Sequence, residues 1–270
     1  QLQEALTGIT DVALLAVLVG DPVTKKFPQA AHAINEKGIR QCINQLNGQG
    51  LDRVIFVSTC SNYGLLAEDQ LAHEETELKP LSTYAQAKVE AERHLMAQRE
   101  IADYTPTILR FATAFGLSPR MRFDLTINEF TRELSLKKPL LVYDPHTWRP
   151  YCHVNDFARL IHTTLHAPAQ DVAFETFNAG GEKNNHTKKQ IIEAIQQQVS
   201  QPLVTYQDHG SDPRNYRVDF TKVRQILGFE PTHTIEDGIT ELIQALADGQ
   251  FKNADTHPDI YGNHQLQYPA

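Results

Sequence analysis

The sequence predicts an α/β protein in which helices cover both faces of a doubly wound parallel sheet, followed by a smaller, mostly helical lobe. Three observations predict this. Apolar strand-like runs and helix-like stretches alternate through the first part of the chain, the rhythm of βαβ units. The first run, residues 12–19 (VALLAVLV), is continuously apolar, as parallel strands buried on both faces are. The alternation then breaks after Gly116, where a loop rich in Arg, Met and Pro (LSPRMRFD) begins.

Taken in order, residues 12–17 form the first strand, Gly20, Asp21 and Pro22 a loop, and residues 29–46 a helical stretch. Residues 54–58 (VIFVS) form a second strand that runs into a polar loop. Residues 83–98 are rich in Ala, Glu and Gln, which lose little side-chain freedom in a helix. Residues 107–111 return to strand. After Gly116 come a helix near 124–137, a strand at Leu140–Tyr143, the segment WRPYCHVND and a helix through His166. A strand at 174–178 ends in Ala179-Gly180-Gly181, and the remainder reads as helical apart from residues 203–206, with Gly228 as a helix stop. The tail from about Asn253 is polar and is expected on the surface. The corresponding division is a sheet domain of residues 1–118 with 151–180 and a substrate lobe of residues 119–150 with 181–270.

Composition narrows the function. The chain of 270 residues is 41% hydrophobic and 21% charged, a globular profile with enough length to bury a sizeable core. Lys and Arg total 25 against 33 Asp and Glu, a formal charge of -8, so no general nucleic-acid field is expected. Any bound phosphate must be held by a few placed arginines. The cysteines, Cys42, Cys60 and Cys152, have no paired spacing, which fits neither a disulfide framework nor a zinc knuckle and points to a reducing cytoplasm. The apolar run is too short to span a bilayer and has no basic leader, so neither membrane insertion nor a signal peptide is expected. His162 and His166 stand four apart but outside any H-E-x-x-H pattern, and no metal is expected. His153 reads as a residue that packs or bonds the backbone.

A dinucleotide-binding sheet of this type normally opens with a strand and a glycine-rich turn that cradles a pyrophosphate at a helix N-terminus. That turn is absent, and the chain opens on what reads as a helix end followed by a middle strand. The expectation is that the first βα segment lies outside the sequence given.

Tyr84 and Lys88 stand four apart in S-T-Y-A-Q-A-K, on one face of a helix. A phenol titrates near pH 10, so bringing it to about 7 asks for roughly 4 kcal/mol, which a neighbouring ammonium and a cationic cofactor ring can supply. Upstream, the second strand runs straight into Ser58-Thr59-Cys60-Ser61-Asn62-Tyr63-Gly64. Hydroxyls at the carboxyl end of a parallel strand sit where open α/β sheets bind ligands.

With these motifs the sequence resembles the extended short-chain dehydrogenase/reductase family, in its NAD-dependent epimerase/dehydratase branch acting on nucleotide sugars. The resemblance covers nearly the whole chain. It rests on the first apolar strand with Gly20-Asp21-Pro22, Asn35-Glu36-Lys37-Gly38, STCSNYG, YAQAK and Thr107-Ile108-Leu109-Arg110. It continues through RPYCHVND from Arg149, Phe177-Asn178-Ala179-Gly180-Gly181 and DPRNYRVD from Asp212. The resemblance implies a Rossmann-type fold, NAD or NADP as cofactor and a nucleoside-diphosphate sugar as substrate; a homodimer is also expected.

Residue by residue, Tyr84 resembles the family's acid/base and Lys88 the residue that holds the nicotinamide ribose. Thr59 resembles the hydroxyl that bonds the reacting sugar oxygen. Asn35 resembles a helix asparagine of a proton relay, a capping or packing role being the alternative. Ser58 and Ala16 are implied at the cofactor. Ser61, Thr113, Arg120, Arg149 and Arg214 are implied at the substrate, the last two on its diphosphate, where a planar guanidinium fork suits phosphate oxygens.

The departures are as informative. Sugar 4,6-dehydratases carry an Asp-Glu pair after the catalytic threonine, and here those positions are Cys60 and Ser61, which cannot do the work of carboxylates. Leu14 replaces a family histidine, and Thr113 stands where many members have asparagine. The expected activity is therefore that of a C4 epimerase, with a 4-ketoreductase or a redox-silent dinucleotide-binding member as alternatives.

Overall fold

The computed structural model describes residues 2–263 apart from 68, 201, 202, 211 and 213. Its centre is a wholly parallel four-stranded sheet in the order Asp11–Leu14, Arg53–Thr59, Thr105–Phe111, Glu175–Ala179. The inner strands owe their burial to an alternation of apolar side chains. Val54, Phe56 and Ile108 pack with Ile43 and Leu95, from the helices Ile39–Leu46 and Thr83–Met96. Ile55, Leu109 and Phe177 pack with Phe157, Leu160 and Val223, from Val154–His166 and Thr221–Leu227. Apolar side chains thus leave both faces of each inner strand, the condition under which a parallel sheet is stable.

The first strand is shorter and less buried than its apolar run predicts. It covers only Asp11–Leu14, and Asp11, Ala13, Leu15 and Val19 are exposed. Among the described residues it is the edge of the sheet, paired on one side only, so nothing covers its outer flank. Two further differences lie nearby. Asp21–Lys26, expected as loop, is a short helix whose last turn carries Lys25 and Lys26, favourable charges for a helix C-terminus. The helical stretch up to Leu46 is interrupted by a π-helical segment, His32–Gly38.

The second lobe forms around the helices Thr126–Ser135, Lys188–Gln196 and Ile235–Ala247, which bury Ile127, Leu134, Ile191 and Ile239 with Phe115 and Tyr151. It contains more strand than expected. Leu140–Tyr143 pairs in parallel with Val204–Gln207. Trp148–His153 pairs in parallel with Thr113–Phe115 and antiparallel with Asn185–Thr187. Pro150 pairs on one side only, with Asn185, while residues 151–153 turn to the other neighbour, so it sits at an edge-like position where a strand tolerates a residue without an N–H. The strand runs across the boundary drawn at residue 150. No described helix is long and apolar enough to cross a membrane.

Candidate active site

Ser82 caps the helix Thr83–Met96, its Oγ accepting a bond from the Ala85 N–H at 3.2 Å. Tyr84 is the second residue of that helix and is half-buried. Lys88 follows one turn later, is only 3% exposed, and donates from Nζ to the Val57 carbonyl at 2.6 Å. The ammonium also lies 4.7 Å from the centroid of the Phe56 ring. Burial lowers the Lys88 pKa to about 8, a shift that the Glu92 carboxylate partly opposes. Thr59 ends the second strand, buried, and its Oγ1 accepts from the Ser61 N–H at 3.1 Å to cap the single turn Cys60–Tyr63. The strand end that carries Thr59 and the helix that carries Tyr84 are joined by the Lys88 to Val57 bond.

A second seam lies beside the first, and neither motif nor spacing points to it. Glu92 accepts from the Ser58 hydroxyl, from Asn62 Nδ2 at 2.8 Å, and from Arg110 through Nε at 3.1 Å and Nη2 at 2.7 Å. Arg110 Nη1 donates onward to the Tyr63 hydroxyl at 3.0 Å, which donates to Asn178 Oδ1 at 2.7 Å. The pair is buried from end to end, so its charges are compensated within the protein. Ser58 thereby spends its hydroxyl inside the helix–strand seam. Cys60 is fully buried, donates to the Arg110 carbonyl at 3.1 Å, and is held a protonated thiol by desolvation.

Asn35 lies in the π-helical segment, buried, with Oδ1 accepting from the Leu18 N–H at 2.7 Å and Nδ2 donating to the Leu18 carbonyl at 2.9 Å. Its carboxamide thus ties that segment to the chain leaving the first strand. Ala16 is exposed two residues before Leu18.

Beyond Thr59 along the same turn, Ser61 leads to Arg214, which with Arg149 grips Asp212. Arg214 donates from Nε and Nη2 to the two Asp212 oxygens at 2.8 Å each, and from Nη1 to Ser61 Oγ at 3.3 Å. Arg149 donates from Nη2 to Asp212 at 3.0 Å, and from Nη1 to the carbonyls of Trp148 (2.7 Å) and Arg214. Burial pushes the Asp212 carboxyl up, but Arg214 and Arg149 outweigh it and hold the group well below the usual carboxylate range. The Tyr216 hydroxyl lies 3.3 Å from Ser61 Oγ. Thr113 sits in the short strand paired with Tyr151, half-buried. Arg120 does not join this group: it is exposed and donates to the Gly262 carbonyl at 3.2 Å.

His153 is fully buried, accepts from the Asn155 N–H through Nδ1 at 3.2 Å, meets Glu241 through Nε2 at 2.6 Å and stacks on His233. His162 and His166 stack on each other, and among the described residues no group of three or more His, Cys, Asp and Glu is placed to hold a metal ion.

Residues 1–180 match the NAD dependent epimerase/dehydratase family. The chain belongs to that family. It is 25% identical over 240 residues to the UDP-glucuronate 4-epimerase of Thermodesulfobacterium geofontis, covering 87% of this chain and 72% of that protein. It is 28% identical over 213 residues to a dTDP-glucose 4,6-dehydratase of Neisseria gonorrhoeae, covering 73% and 60%. In fold it is similar to MoeE5 in complex with UDP-glucuronic acid and NAD, with a TM-score of 0.82 at 24% identity over 92% of this chain and 83% of that one. These likenesses agree with the Rossmann-type, NAD-dependent reading of the sequence.

Proposed function

We propose that this family member is an NAD-dependent nucleotide-sugar epimerase acting at a ring carbon, C4, of a nucleoside-diphosphate sugar such as the UDP-sugars named for its relatives. The donor chemistry of the site suits the cofactor. An ammonium carries three N–H donors, and Lys88 spends one on Val57, leaving the others for ribose hydroxyls beside Tyr84. When bound, NAD supplies the hydride acceptor and then the hydride donor.

The chain's own residues handle the proton and the geometry. Tyr84 takes the proton of the reacting hydroxyl and returns it to the same oxygen after the sugar has presented its other face. Lys88 lowers the cost of ionising the phenol by placing a positive charge one helical turn away. Thr59 bonds the reacting oxygen and fixes its direction. Arg149 and Arg214 hold the diphosphate, so that binding energy from the unreactive end of the substrate orients the reactive end.

One observation favours epimerisation over dehydration. Cys60 is a buried thiol bonded to a backbone carbonyl, and Ser61 is engaged by Arg214 and Tyr216. Neither position after Thr59 therefore offers a carboxylate for a second proton transfer on neighbouring sugar carbons. Incubating the complete protein with UDP-glucuronate or UDP-glucose and NAD, and following products by NMR and mass spectrometry, tests this. The expected product is a C4 isomer of unchanged mass. A product lighter by one water would establish a dehydratase instead, and unchanged sugar with every substrate tried would favour the redox-silent alternative.

A further inference from the structure

The two arginines assigned to a ligand diphosphate already grip an anion of the protein itself. Asp212 lies across both guanidinium groups, bidentate on Arg214 and singly bonded by Arg149, the geometry that also suits phosphate oxygens. The partners differ in how firmly they are held. The Arg149 side chain is 9% exposed and Asp212 37%. Arg149 is further fixed by two backbone carbonyls and by the Tyr216 ring, 5.2 Å from its guanidinium carbon. The arginine is built in, and the carboxylate stands on the solvent side.

The surrounding charge makes the same point. Lys188 shares this electrostatic field with Arg149, Arg214, Asp212 and Asp144, and donates to the Tyr143 carbonyl at 2.7 Å. Asp144 is already engaged by the N–H groups of His209 at 2.9 Å and Gly210 at 2.8 Å. Among the described residues, Lys188, Arg149 and Arg214 thus bring three positive charges to the field around Asp212, a setting that suits an anionic ligand.

We propose that Asp212 is a resident counter-ion: its carboxylate occupies the seat of the ligand's diphosphate, and the ligand binds by displacing it. The inference rests on the diphosphate reading of Arg149 and Arg214 given above, and it adds a competitor built into the protein. A ligand must outcompete a carboxylate already paired with both arginines. A diphosphate can replace it on both forks at once, whereas a single phosphate group replaces it less completely. The apparent affinity of any anion is reduced in proportion to the time the seat is filled from within.

Calorimetric titration of the complete protein with inorganic pyrophosphate and with orthophosphate, at fixed ionic strength, tests this in the wild type and in Asp212→Asn, Asp212→Ala and Arg149→Ala. Both Asp212 variants should bind pyrophosphate more tightly, by about fivefold or more. Orthophosphate should gain by a similar factor, because the same carboxylate leaves the same seat. Arg149→Ala should bind pyrophosphate more weakly than the wild type. If neither Asp212 variant tightens binding while Arg149→Ala weakens it, Asp212 holds the arginines in place and the displacement idea is overturned. If Arg149→Ala binds pyrophosphate as the wild type does, the diphosphate reading beneath it falls.

Discussion

On the Tyr84 side of the site the polar groups are sealed between helix and sheet, with Lys88, Glu92, Arg110 and Ser58 all buried and bonded to one another or to backbone. On the Arg149 side the charges meet nearer solvent, and Asp212 and Arg214 are partly exposed. On the function proposed above, the first half positions a reacting group, which demands a fixed geometry. On the same proposal the second grips a flexible, charged part of a ligand, which ion pairs with access to water can do by exchanging partners. Removing one partner should therefore cost stability on the first side and change affinity on the second.

The sharpest way to break this comparison is to remove one buried partner. Glu92→Ala leaves the Arg110 guanidinium in the interior without its carboxylate, and a loss of about 3–5 kcal/mol is expected. Asp212→Ala, at a half-buried ion pair, should cost less, because Arg149 keeps its two backbone carbonyls and water can reach the vacated seat. Denaturant unfolding of both variants checks the contrast, and equal losses would erase the distinction between the two halves.

Next in size is affinity. Arg149→Ala removes charge-assisted bonds to the diphosphate, each class of bond being worth about 1.5–3 kcal/mol. KM for the nucleotide sugar should rise by roughly tenfold or more with kcat little changed. A fall in kcat at constant KM would move Arg149 to the chemical step.

A subtler effect lies in pH. Burial depresses the Lys88 pKa from 10.5 to about 8, so the unfolded chain binds more protons than the folded one between those values. The Lys88 contribution to stability therefore rises as pH increases from about 8 to 10.5. Activity should move the other way, since the charge that assists Tyr84 is lost over the same rise. Turnover and unfolding measured across this window, in wild type and Lys88→Met, separate the two trends, and a flat activity profile above pH 8 would detach Lys88 from the proton transfer.

Arg120→Ala marks the small end of the scale. Arg120 is exposed and, among the described residues, its guanidinium donates to the Gly262 carbonyl, so stability should change by less than about 0.5 kcal/mol and ligand affinity should not change. A large loss of affinity would restore Arg120 to the substrate-facing role that the sequence suggests.

The parts legible in the sequence were those carried by short spacing or by runs of like character. Tyr84 and Lys88 are one helical turn apart, Thr59 follows an unbroken apolar strand, and both inner strands announce themselves by β-branched and aromatic residues. The Glu92–Arg110 seam was not legible, because its members are 18 residues apart and a Glu on an Ala-rich helix reads as solvated. Asp212 escaped for a similar reason, since it meets Arg149 across 63 residues. Trp148–His153 hid as a strand because Arg, Pro and Cys obscure its alternation, and only its divided pairing accommodates Pro150. The first strand was over-read in length, since its pairing among the described residues stops at Leu14.

The central claim is that Tyr84 transfers the proton at the reacting sugar oxygen. Tyr84→Phe deletes that oxygen and keeps the ring, so single-turnover and steady-state assays of the complete protein, paired with calorimetric binding of the same UDP-sugar, test the claim most directly. The expected result is a loss in kcat of about 10²–10⁴-fold with binding close to wild type. Wild-type turnover in Tyr84→Phe would contradict the account.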